Sequence, residues 1–123
     1  MTTTISGSNG IVFPDATSMQ TGQQAVKAWV NFDGTGTVAI RAGYNVSSIT
    51  DNATGQFQIN FTTNMVDVNY ATTLTCMDYS FGSVISIKTV LANYAVSSFK
   101  VLTLAKDVNA FFDPEIVCAA VFR

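Results

Sequence analysis

A chain of 123 residues has room for one domain and one hydrophobic core. Hydrophobic residues make up 48% and charged residues only 11%, against a usual charged share of roughly a quarter, so Thr, Ser, Asn and Gln must cover the surface, and some apolar surface is expected to be buried between subunits. The net charge is −2 and the cations Lys27, Arg41, Lys88, Lys100, Lys106 and Arg123 are scattered, which argues against nucleic-acid binding; no apolar run approaches the ~18 residues of a membrane helix, so no membrane insertion is expected.

Residues 1–24 are rich in Thr, Ser, Gly and Gln, with one apolar knot at Ile11, Val12 and Phe13. Alone, such a segment cannot bury enough surface to fold. It reads as an extended N-terminal arm that orders on a neighbouring subunit through Ile11, Val12 and Phe13, or else as a loose tail. It has neither the charged nor the apolar region of a signal peptide, so export by the secretory route is not expected.

From residue 25 to 123 strand and turn alternate. In Ala25–Phe32, Val26, Ala28, Val30 and Phe32 share one face, and Lys27, Trp29 and Asn31 the other. Asp33-Gly34-Thr35-Gly36 supplies the residues of a tight hairpin, and Thr37–Tyr44 returns. Asp51-Asn52-Ala53-Thr54-Gly55 is a second turn cluster. Phe57, Ile59 and Phe61 then alternate with Gln58, Asn60 and Thr62, so this stretch reads as three strands and two turns. Asn69–Tyr79 follows, with Tyr70, Thr72, Leu74 and Cys76 on one face. Val84–Val90 and Ala95–Ala105 are further strands, and residues 106–114 a long loop. Glu115–Phe122 is apolar on both faces, which predicts burial on both and a central place in a sheet or at a subunit interface. No stretch repeats with a helical period. The spacing predicts an all-β, antiparallel, jelly-roll-like β-sandwich of about seven or eight strands.

The segment Lys27–Thr63, KAWVNFDGTGTVAIRAGYNVSSITDNATGQFQINFTT, resembles a module of tail-fibre proteins from tailed bacteriophages, notably marine and cyanobacterial phages, where it often lies at or near the distal, C-terminal end. The likeness is densest over Lys27–Tyr70. Ile5–Asp15 is similar to a short segment that precedes such modules, and Ile116–Arg123 to the strand that closes them. The resemblance implies a virion structural protein and carries no catalytic residues with it. With no shaft or tail-attachment region between Met1 and Arg123, the chain is expected to be a small virion protein that carries the module alone.

The chain has no histidine, which removes the commonest general base, the commonest metal ligand and every Ser-His or Cys-His pair. Paired carboxylates remain a conceivable route, but Asp33, Asp51, Asp67 and Asp113 fall in predicted turns, where Asp is favoured for backbone reasons, and Asp78 lies near a strand end. No enzyme activity, cofactor or metal is expected. The two Asp-rich turns lack the spacing of a calcium loop, and no helix follows Gly34-Thr35-Gly36 to receive a phosphate. Asn45, Asn52 and Asn60 match the glycosylation pattern, here read as chance on a Thr- and Asn-rich β surface. Cys76 and Cys118 read as small buried hydrophobes, with pairing the alternative.

Candidate contact residues are Trp29, Tyr44, Tyr79, Tyr94, Phe111 and Phe112, because aromatic rings beside Asn and Asp form sugar-binding surfaces. The competing reading puts Trp29 in the core or an interface, and Phe111-Phe112 as a plug over one end of the sandwich. The leading expectation is a homotrimeric tail-fibre-like module on the virion that contacts a host surface glycan. A capsid decoration or cement protein held to the major capsid protein is the alternative, and a free-standing carbohydrate-binding module a further one. Sedimentation at micromolar protein should give a trimer; a monomer at that concentration would remove the trimer.

Overall fold

In a computed structural model that describes residues 2–7, 10–16, 18–19, 26–78, 85–88, 94–105 and 110–123, every regular element is a β-strand and every pairing is antiparallel. Three short strands, β1 (Thr4–Ser6), β2 (Gly10–Val12) and β3 (Ser18–Met19), form a sheet of their own. The stretch expected as an extended arm thus folds back on itself twice, with Ile5 opposite Ile11 and Ile11 opposite Met19. Gly10 and Ala16 take positive φ there.

The remaining strands make a β-sandwich. Sheet one is four-stranded, in the order β5 (Ala39–Tyr44), β4 (Val26–Asp33), β12 (Ile116–Phe122), β8 (Ala71–Met77). Sheet two is five-stranded: β11 (Ala110–Phe111), β10 (Ser98–Ala105), β7 (Gln56–Phe61) and β6 (Val46–Ala53) in line, with β9 (Ile85–Lys88) also paired to β10. Period-two alternation gives each sheet one apolar face, and the two faces meet. Ala28, Val30, Phe32, Val117, Ala119 and Val121 from sheet one pack against Phe57, Ile59, Phe61, Phe99 and Val101 from sheet two. Phe32 and Phe57 join the layers edge to face, with ring centroids 5.3 Å apart.

Irregular registers account for most departures from the expected pattern. The sequence pattern counts three strands between residues 25 and 63; the structure has four. β6 is the added one, and the turn shrinks to Thr54-Gly55. In β6 the register with β7 skips Ser47 and Asn52, two β-bulges. Val46 and Ile49, three residues apart, therefore both pack against the core, and simple alternation misses them. In β4 the register with β12 skips Lys27, so Val26 lies opposite Phe122 rather than continuing the Ala28–Val30–Phe32 face. In β5 the register with β4 skips Arg41, whose guanidinium reaches the Asp33 carboxylate at 3.1 Å.

β12 lies centrally, between β4 and β8, as its apolar character predicts. Burial on both faces does not follow. Val117, Ala119 and Val121 are buried, whereas Ile116, Cys118 and Ala120 are half-buried and Phe122 is exposed, because only the inner side of sheet one faces a second layer. Cys76 sits opposite Val117 and Cys118 opposite Thr75, so the two thiols point to opposite sides of the sheet and both are free.

One end of the sandwich is closed by two glycines. The Gly34 amide donates to the Pro114 carbonyl at 3.0 Å. Gly55, at φ 65°, accepts from the Thr103 amide at 2.9 Å and donates to the Asp113 carboxylate at 2.7 Å. A Cβ on Gly55 would lie 2.6 Å from the Thr103 carbonyl oxygen and 2.9 Å from the Phe112 amide nitrogen and carbonyl oxygen. Gly36, at φ 56°, has open space around it. Gly36→Ala should therefore cost about 1 kcal/mol, for its backbone alone, while Gly55→Ala costs upwards of about 3 kcal/mol; urea unfolding of the two variants checks the difference.

Candidate binding cleft and exposed aromatic face

Between β5 and β6 the chain passes from sheet one to sheet two through a single residue, Asn45. It sits at φ 56°, a left-handed conformation that Asn tolerates better than most residues. Its amide is fully employed by main-chain groups. Nδ2 donates to the Lys27 carbonyl at 3.0 Å and the Thr63 carbonyl at 3.1 Å, and Oδ1 accepts from the Thr63 amide at 2.7 Å. Its own carbonyl accepts from the Thr62 amide at 3.2 Å. The start of β4, the corner itself and the segment after β7 are thereby held in one arrangement.

Those three segments, with Arg123 after β12, enclose a cleft of about 790 Å³. Val26 and Lys27 form one wall, Tyr44 and Asn45 another, and Thr62, Thr63, Asn64, Met65 and Val66 a third. Consecutive strand residues ordinarily point to opposite faces; the bulge at Lys27 is what lets both Val26 and Lys27 line the same space. Arg123 is held by a two-pronged bond, Nε donating to Asp67 Oδ1 at 2.9 Å and Nη2 to Oδ2 at 2.8 Å. Asp67 Oδ1 also accepts from the Asn69 amide at 2.8 Å. The bonds from Arg123, helped by the Asn69 amide, hold the Asp67 carboxyl down at about 2.

The expected contact residues scatter. Trp29 and Tyr44 come together: they are directly opposite in the β4–β5 register, 39% and 58% exposed, on the outer face of sheet one. Met77 and Phe122 are exposed on the same face. Tyr94 is elsewhere. Its ring lies 4.9 Å from that of Tyr70 and 6.1 Å from that of Phe99, and its hydroxyl shares a 2.6 Å hydrogen bond with Thr72, so substitution there removes core packing. Tyr70 hydrogen-bonds through its hydroxyl to the carbonyls of Ala95 and Ser98, and burial pushes its pKa up to about 12. Phe111 is exposed in β11, and Phe112 is half-buried, its carbonyl accepting from the Thr103 hydroxyl at 2.7 Å. Tyr79 lies outside the described residues. Ile11, Val12 and Phe13 are half-buried in and beside the small N-terminal sheet.

Three of the acidic residues expected in turns have structural partners, while the fourth, Asp51, lies in β6. Asp33 accepts from the Thr35 hydroxyl at 2.6 Å and the Thr35 amide at 2.8 Å, which lower its pKa, with Arg41 adding to the effect. Asp113 holds Gly55 and Asp67 holds Arg123. Among the described residues no three acidic or cysteine side chains gather closely enough to hold a metal. Burial lifts the Cys76 thiol to about 11, away from the reactive thiolate form.

Lys27, Asn45, Asn64 and Arg123 were not legible as a group. A polar residue between the Gly-Tyr end of one strand and the apolar start of the next is the one local signal that points to Asn45 as a corner. The chain matches no family model, no curated protein and no solved structure.

Because the folded pKa of Asp67 is depressed, the Asp67–Arg123 pair is fully present above the ordinary carboxyl pKa of 3.8 and is lost as pH falls through about 2. The Asp67 carboxyl carbon, followed by NMR, should titrate with a midpoint near 2, and Arg123→Ala should move that midpoint up toward 3.8.

Proposed function

We propose that this chain is a structural module of a bacteriophage virion, a homotrimeric tail-fibre-like β-sandwich that contacts the host surface. The observation that carries the reading is the exposed Trp29–Tyr44 pair on an open sheet face that runs into the cleft behind Tyr44. Large aromatic side chains left in solvent next to amide and hydroxyl groups are what a surface-adhesion site requires. The resemblance of Lys27–Thr63 to tail-fibre modules supports the same reading. That segment is one continuous unit here, β4–β5 in sheet one and β6–β7 in sheet two, hinged at Asn45. The low share of charged side chains suits a surface that meets other subunits.

Antibody–gold labelling of intact virions by electron microscopy tests the assignment. Gold at the tail tips is the expected result. Gold spread over the head would move the module to capsid decoration, and virions without gold would overturn a virion role altogether. Tyr44→Ala should lower attachment to host cells while changing stability by less than about 0.5 kcal/mol, since its ring is mostly in solvent.

A further inference from the structure

We infer that the cleft behind Tyr44 binds an acidic saccharide, a sugar whose carboxylate or equivalent anionic group is taken by Lys27 and Arg123 while its ring packs on Tyr44. This ligand class rests on the proposed surface-contact role and narrows it to one kind of glycan. Three features of the cleft lead there.

The first is charge. The chain as a whole is acidic, with a net charge of −2, yet two of its six cations line this one cleft and no Asp or Glu does. The Lys27 ammonium has no ion pair among the described residues. Arg123 spends its Nε and Nη2 donors on Asp67, and that fork leaves the Nη1 donors unclaimed. Asp67 offsets much of the charge of Arg123, so Lys27 supplies the net attraction and Arg123 a rigid hydrogen-bond donor. With Lys27 and Arg123 in the lining and no carboxylate side chain among the lining residues, the cleft favours an anion over a cation, and two cations are too few to hold a nucleic-acid backbone.

The second is shape and lining. A volume of about 790 Å³ is far larger than an inorganic anion needs and falls within the range of small-molecule sites, roughly 300–1,000 Å³. Thr62 and Asn64 are exposed and bring a hydroxyl and a carboxamide to the wall, groups that pair with sugar hydroxyls. Tyr44, largely exposed, adds an aromatic ring to the lining, and such rings are the usual platform for the C–H side of a sugar.

The third is that the site is built beforehand. Asn45 fixes the Lys27 and Thr63 main chains in one arrangement, and Asp67 fixes the plane of Arg123, so little ordering is left for the ligand to impose. The bulge that turns Lys27 into the cleft belongs to the register of the sheet and costs nothing further when a ligand arrives.

The full chain should be applied to an array of acidic oligosaccharides (uronate, sialate and sulfated) beside their neutral counterparts, including carboxyl-reduced forms of the uronates. Acidic members should be retained, and the matched neutral forms should bind at least about tenfold more weakly. Lys27→Gln should weaken the acidic interaction by about tenfold without shifting the melting temperature, and added salt should weaken it further. Retention of no acidic member, equal binding of neutral counterparts, or an undiminished Lys27→Gln variant would each overturn the assignment. The virion role is separable from this outcome. Gold-labelled virions whose protein ignores acidic glycans would remove the ligand alone, whereas acidic-glycan binding by a protein absent from virions would remove the virion role and leave the cleft assignment standing.

Discussion

The carboxamide of Asn45 is the contact on which the arrangement of the two layers turns. A β-sandwich must carry its chain from one sheet to the other, and here the passage takes a single residue rather than a loop. Such a corner leaves main-chain groups of two segments, at Lys27 and Thr63, without ladder partners. One side chain with two donors and one acceptor satisfies them together. Aspartate at this position could accept from Thr63 but could not donate to Lys27, and glycine could take the conformation but hold nothing. The requirement for left-handed backbone and for both hydrogen-bonding roles narrows the choice to asparagine.

From that corner the rest of the layout follows. At the far end from the corner, Phe32 meets Phe57 between the sheets, beside Gly34. Phe61, Tyr70, Tyr94 and Phe99 form a second aromatic group, with Tyr70 tying the chain after Tyr94 back to the core through two carbonyls. The opposite end is closed by main-chain contacts around Gly34 and Gly55 rather than by side-chain volume. The two ends thus differ in kind: one is sealed by close backbone approach, and the other, near Asn45, is left open as a cleft.

The legible part of the fold is the part that obeys a period of two. β7 buries Phe57, Ile59 and Phe61, and β10 buries Phe99 and Val101, as their alternation requires. Turns marked by Asp and Gly were equally plain at Asp33–Gly36. What stayed hidden lies where the register slips. β6 does not show in the pattern because two bulges place its inward residues three apart, and Val26 leaves the face its alternation predicts because Lys27 is bulged out of the β4–β12 ladder. The N-terminal strands escaped for a different reason: their composition is too polar to announce a sheet, and only pairing between segments reveals one. The site was half legible. Trp29 and Tyr44 stood out as aromatics on polar faces, but the cleft joins Lys27 to Arg123, residues from opposite ends of the domain. Asp67 meets Arg123 across 56 positions of sequence. No local pattern encodes a contact of that range; it exists only once β12 has settled beside β8.

The bulge at Arg41 bears on how copies of this chain can meet. β5 is the outer strand of sheet one, and a straight, uncharged outer strand is a template on which another molecule can extend the sheet. Here the extra residue breaks the regular spacing of free main-chain groups, and its guanidinium, anchored to Asp33, places charge beside the break. Both are established devices against uncontrolled strand addition. Molecules crowded together are thereby kept from fusing their sheets along this rim. In the assembly proposed above, this rim is an unfavourable place for one subunit to meet the next.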